Sequence, residues 1–67
     1  MEFVINGDTI EVKESVRTVA DLLDHFDLDK KRAIVELNAA ILEKSSYGET
    51  ALSDGDKIEI VHFVGGG

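Results

Sequence analysis

The chain has no cysteine, no proline and no tryptophan, and its 67 residues carry 7 Lys and Arg against 14 Asp and Glu. Without cysteine, neither a disulfide nor a thiolate-bound zinc can supplement a small core, and no thiol nucleophile is available. A single domain of this length buries only about 60% of the surface its unfolded chain exposes. No apolar run approaches the ~20 residues of a membrane span, and no signal-peptide pattern opens the chain, so a cytoplasmic location is expected. The net charge of −7 repels phosphate backbones and anionic lipid, so neither nucleic acid nor a membrane is an expected partner. The acidic excess either serves solubility or steers the chain towards a basic docking surface on another protein.

Histidine is equally scarce. His25 and His62 have no spaced partner that would make a metal site; His25 reads as a surface residue and His62 as one lining a strand. Asp54-Gly55-Asp56 lacks the remaining ligands of a calcium loop and reads as a turn. The serines have no histidine–acid arrangement, and the glycines no following helix or Lys-Ser/Thr pair. No catalytic residue, metal site or bound cofactor is therefore assigned, and the chain is not expected to be an enzyme.

What is present is ordered patterning. Phe3 and Ile5, then Ile10 and Val12, alternate with more polar positions around Asn6-Gly7, which predicts a hairpin over residues 1–12. Thr18 offers a capping hydroxyl, and Val19, Leu22, Leu23 and Phe26 follow at i, i+3, i+4, i+7, one face of a short helix ending near residues 27–29. Asp21 suits the start of that helix, whereas Asp24 and Asp27 fall late in it, where the dipole disfavours negative charge. Lys30, Lys31 and Arg32 offset those acids. Ala33–Leu37 predicts a third strand, Asn38-Ala39-Ala40 a turn, Ile41-Leu42 a brief strand, and residues 43–50 a loop. Ser53-Asp54-Gly55-Asp56 then launches a last strand from Lys57. The class is α+β: one main helix packed on one face of a mixed sheet of four to five strands. Val16, Val19, Leu22, Leu23 and Phe26 are expected to meet Phe3, Ile5, Ile10, Val12, Val35, Leu37, Ile58 and Ile60 in one core.

The end of the chain is its most informative part. Ile58 and Ile60 alternate with Lys57 and Glu59, but Val61 and Phe63 then fall on the side of Glu59, the side facing water. Unless a β-bulge resets the register, an aromatic and a valine are exposed there, with Ile34 sharing their parity through Glu36. Clustered exposed apolar groups mark a partner-binding surface. The strand then runs into Gly65, Gly66 and Gly67. Glycine is poor structural material, and three residues reach about 10 Å at roughly 3.3–3.6 Å each, enough to carry a carboxylate at Gly67 into another protein's active site. A domain over residues 1–64 and a flexible tail over 65–67 are expected.

These features together resemble the ubiquitin-like β-grasp sulfur carriers, and within them the ThiS family of thiamine biosynthesis. The resemblance spans the chain: the Asn6-Gly7 hairpin, Thr18-Val19-Ala20-Asp21-Leu22-Leu23, Ala33-Ile34-Val35-Glu36-Leu37-Asn38 and Asp54-Gly55-Asp56-Lys57-Ile58-Glu59-Ile60. It is sharpest in Val61-His62-Phe63-Val64-Gly65-Gly66-Gly67. A third glycine where many relatives end in two is a mild departure. The resemblance implies that a ThiF-type, ubiquitin-activating-like enzyme uses ATP and Mg²⁺ to adenylate Gly67. Sulfur passed from cysteine through a desulfurase persulfide then makes a thiocarboxylate, and a ThiG-type thiazole synthase consumes it. Sister roles in tRNA thiolation or molybdopterin synthesis, a protein modifier ligated through Gly67, and an inert structural adaptor remain open alternatives.

Overall fold

The computed structural model describes residues 1–63. Val64 and the predicted tail, Gly65, Gly66 and Gly67, lie outside the described residues, as does the predicted domain boundary. The chain opens with the expected hairpin, β1 (Glu2–Ile5) and β2 (Asp8–Glu11). Asn6 and Gly7 take φ of 50° and 87°, the left-handed backbone that a two-residue hairpin loop demands. The register sets Phe3 opposite Ile10 and leaves Phe3 and Ile5 on the core side.

The helix α1 spans Val19–His25, and all its leading N–H groups find acceptors. Val19 N–H donates to the Thr50 carbonyl and Ala20 N–H to that of Tyr47, both at 3.0 Å. Asp21 N–H donates to Thr18 Oγ1 at 3.1 Å. In return, Asp21 Oδ2 accepts from Arg17 and Thr18 N–H at 3.0 and 3.1 Å. This reciprocal capping box holds the Asp21 carboxyl below its ordinary value, chiefly through the Arg17 amide. The helix stops when Asp27 turns to φ 58°. Asp27 N–H then reaches the Asp24 carbonyl and Leu28 N–H that of Leu23, closing a Schellman motif. Asp27 is thus outside the helix, a correction to the expectation that it lies in the last turn.

Lys30–Arg32 forms a 3-10 turn capped by the Asp29 carboxylate. It leads into β3 (Ala33–Leu37), the two-residue loop Asn38-Ala39 and β4 (Ala40–Ile41). The loop takes one residue fewer than expected, since φ is positive at both Asn38 (49°) and Ala39 (73°) and Ala40 already pairs with Leu37. The last strand, β5 (Lys57–His62), runs parallel to β1 and antiparallel to β3. Among the described residues the sheet has five strands in the order β2-β1-β5-β3-β4. With α1 packed on one face, this is the arrangement expected of a β-grasp domain.

The core departs from the sequence expectation in two ways, by residues it gains and by residues that lie at its margin. Residues 43–50, expected as loop, contain a 3-10 turn at Lys44–Ser46 and then Tyr47, which is buried and donates its hydroxyl to the Ala33 carbonyl at 2.8 Å. Tyr47, Leu52 and Ala33 are buried with Phe3, Ile5, Val12, Val16, Val19, Leu22, Leu23, Val35 and Ile58. Ile10, Phe26, Leu37 and Ile60, expected inside, pack half-buried at its margin. The turn before β5 is held by its own acids: Asp54 Oδ1 accepts from Glu2 N–H at 2.6 Å, and Asp56 Oδ2 from Ser53 N–H at 2.7 Å. Among the described residues, no helix is long and apolar enough to cross a membrane.

Candidate functional site

The strand that leads to the glycines is fastened from several sides. β1 ends at Ile5, opposite Ile58, but the Asn6 side chain continues its ladder. Asn6 Oδ1 accepts from Ile60 N–H at 2.7 Å, and Asn6 Nδ2 donates to the Ile60 carbonyl at 3.1 Å. On the other side, β3 pairs with β5 from Leu37 opposite Ile58 through to Ala33 opposite His62. Phe63 N–H extends that ladder to the Arg32 carbonyl at 2.9 Å. The His62 ring also takes part: its Nε2 accepts from Asp29 N–H at 3.1 Å. His62 therefore serves as a structural acceptor at the strand's end, half-buried. His25, by contrast, is exposed and stands edge-on to Phe26 with ring centroids 5.0 Å apart.

Across the described residues, β3 and β5 pair without a bulge. The alternation therefore leaves Val61 and Phe63 in water, each 55% exposed, with Ile34 at 38%. Ile34 and Val61 are direct cross-strand partners. The three residues singled out from the sequence are thus placed on the helix-free face, beside the strand's exit. Two features escaped sequence reasoning. Ile41, at 72% exposure the most open large apolar side chain described, lies opposite Glu36; a two-residue strand has no period from which to infer its face. Glu36 in turn lies directly opposite Glu59, and with Asn38, Ala39 and Lys57 these carboxylates line a shallow depression. Parity alone could have flagged that pairing. Among the described residues, no group of three or more His, Cys, Asp or Glu is placed to hold a metal ion.

Comparison with known proteins bears on what such a strand end is for. The family model described as "ThiS family" matches residues 2–67. The chain belongs to the ThiS family. The "Sulfur carrier protein ThiS" of Bacillus subtilis is 48% identical over 63 residues, which cover 94% of this chain and 96% of that protein. The "Thiazole synthase" of Paramagnetospirillum magneticum is 46% identical over 67 residues, all of this chain. The chain spans only 20% of that protein's length, so a ThiS-like segment occurs within a thiazole synthase. Among solved structures, the crystal structure of the thiamine biosynthesis protein ThiS from Geobacter metallireducens superimposes with a TM-score of 0.81 at 32% identity, covering both chains completely. The ThiS membership and this likeness account for the five-stranded sheet and single helix described above.

Proposed function

We propose that this chain is a sulfur carrier of thiamine biosynthesis that acts through Gly67 and is a co-substrate, not a catalyst. Its near-full-length similarity to a sulfur carrier protein ThiS carries this reading. A carboxylate is a poor electrophile. A ThiF-type activating enzyme, with ATP and Mg²⁺, joins the Gly67 carboxylate to AMP and releases pyrophosphate. The terminal sulfur of a desulfurase persulfide, drawn from cysteine, then attacks the acyl carbon and displaces AMP to give an acyl disulfide. A thiol of the partner attacks that S–S bond, is itself oxidised to a disulfide, and releases the thiocarboxylate that thiazole synthase consumes. Glycine places no side chain beside the activated acyl carbon, and a chain without cysteine cannot divert the sulfur into an internal disulfide. ATP, Mg²⁺ and persulfide chemistry belong to the partners, and this chain binds no cofactor of its own.

The face bearing Ile34, Val61 and Phe63 supports docking on those partners, since apolar groups clustered in water mark interaction surfaces. The neighbouring Glu36–Glu59 pair sets like charges directly opposite each other, an arrangement that costs stability in the free domain and suits a cationic side chain on a partner.

Mass spectrometry after incubation with the cognate activating enzyme, ATP, Mg²⁺ and a sulfur donor tests the mechanism. One oxygen should be exchanged for sulfur, and fragmentation should place the exchange at Gly67. Modification at an internal residue would falsify the carrier mechanism. Cells lacking the protein should require thiazole or thiamine, and a version without Gly66-Gly67 should not rescue them. Growth without thiamine, coupled to loss of a thiolated tRNA base or of molybdenum-enzyme activity, would transfer the assignment to a sister pathway. Lysine conjugates through Gly67 as the main cellular species would point to a protein modifier.

A further inference from the structure

His62 shares the core-side parity of Ile58 and Ile60, yet its ring bonds the backbone of a segment 33 residues away in sequence. That segment is a firm platform. Asp29 Oδ1 accepts from Lys31 N–H at 2.9 Å, Arg32 N–H donates to the Asp29 carbonyl at 2.9 Å, and Lys44 Nζ donates to the Lys31 carbonyl. Both attachments at the end of β5 converge on it: Asp29 N–H to the His62 ring, and Phe63 N–H to the Arg32 carbonyl. They lie past the point where β5 is held from two sides, because support from the β1 side stops at Ile60 with the Asn6 amide. Beyond Ile60, the ring is the second tether that keeps the strand from peeling off β3.

We propose that His62 is a positioning residue for the carrier reaction: its hydrogen bond to Asp29 sets the point and direction from which the chain leaves the domain towards Gly67. This rests on the reading that Gly67 is the reacting end. The ring acts through geometry, not as an acid or base, since the nitrogen facing the domain is occupied by a backbone amide. Reaction rates between held groups are sensitive to placement, with about 1 Å of displacement costing on the order of a hundredfold. A strand end freed at His62 loosens the point from which the chain departs, while the docking residues Ile34 and Val61, paired to each other across β3 and β5, stay in place. The loss should therefore appear in kcat, with KM for the carrier little changed.

The test compares variants in thiocarboxylate formation by the activating enzyme, with amide exchange at Asp29 and Phe63 followed in parallel. His62→Phe keeps the bulk and removes the acceptor; kcat should fall by about tenfold or more, and both amides should exchange faster. His62→Gln, whose amide oxygen can accept from Asp29 N–H, should restore most of the rate. A second pair leaves His62 untouched. Asp29 has φ −78°, an angle proline accepts, so Asp29→Pro deletes the donor, while Asp29→Ala removes only the carboxylate. Asp29→Pro should be the slower of the two. A wild-type rate in His62→Phe, a His62→Gln as slow as His62→Phe, or equal rates in the two Asp29 variants would overturn the positioning role. Absence of any C-terminal sulfur in the wild-type protein would instead overturn the carrier reading beneath it.

Discussion

Replacing Ala39 by glycine should stabilise the domain. Ala39 is the second residue of the two-residue loop joining β3 to β4, and its φ of 73° puts a Cβ where the left-handed backbone disfavours one. That conformation costs an L-residue about 1–2 kcal/mol, while glycine gives back about 0.4–1 kcal/mol through the greater freedom of its unfolded chain; the net gain is about 0.5–1 kcal/mol. Ala39 is exposed, so no packing is lost. For a domain of this size, the gain corresponds to a rise in Tm of about 2–8 °C, measurable by thermal and urea denaturation followed by circular dichroism. The hairpin between β1 and β2 provides the reciprocal control. Gly7 has φ 87°, and a Cβ built there meets nothing within 4 Å. Gly7→Ala should thus lose about what Ala39→Gly gains, through backbone strain alone. If Gly7→Ala is destabilising while Ala39→Gly is neutral or worse, the strain assigned to Ala39 does not exist.

Thr18→Ala should cost about 0.5–2 kcal/mol by opening the capping box of α1, read from urea midpoints. The Asp21 carboxyl is held below its ordinary value, so its contribution is present above the unfolded carboxylate range and is lost as pH falls through the lowered value; Asp21→Asn should flatten the acid limb of stability against pH. Val61→Asp and Phe63→Asp should change stability by no more than about 0.5 kcal/mol while weakening capture by the activating enzyme or thiazole synthase in titration calorimetry. Leu23→Ala, wholly buried, should instead cost about 2–5 kcal/mol; unfolding of either Asp variant to that degree would show the face to be core. Glu36→Gln should stabilise the free domain by about 0.2–1 kcal/mol by removing repulsion from Glu59, and should slow association with a basic partner at low salt.

The elements legible in the sequence were those with local physics. Asn6-Gly7 carries its turn geometry in its own residues, Thr18 and Asp21 announce a helix start, and the i, i+3, i+4, i+7 spacing from Val19 announces its face. Period-two parity likewise brought Ile34, Val61 and Phe63 to one face, because β5 runs without a bulge through the described residues. Tyr47 was not legible, since one aromatic among Lys, Ser, Gly and Glu has no period, and its burial depends on the Ala33 carbonyl 14 residues away. The same holds for the Asn6 amide bonding Ile60 across 54 residues and for the His62 ring reaching Asp29. Such side-chain-to-backbone bonds leave no pattern in nearby sequence. The turn after β3 was legible but its length was not: Ala39 stands where local chemistry calls for glycine, and Ala40 already pairs with Leu37. The reading of Gly67 as the reacting end rests on an apolar strand that runs into three glycines, and Gly67 lies outside the described residues.

Among the described residues β1 and β3 are not neighbours in the sheet; β5 lies between them and pairs with both. During synthesis, therefore, the two hairpins emerge with facing edges unpaired, and they stay so until the final strand leaves the ribosome. Exposed edges of this kind invite wrong partners, which makes the closing step the one most in need of speed. It also means that the strand leading to the glycines is the one whose insertion completes the sheet. In native-state hydrogen exchange, Ile58 and Ile60 should accordingly open only with global unfolding; under the function proposed above, an incompletely folded molecule would then have no properly mounted end to offer an activating enzyme.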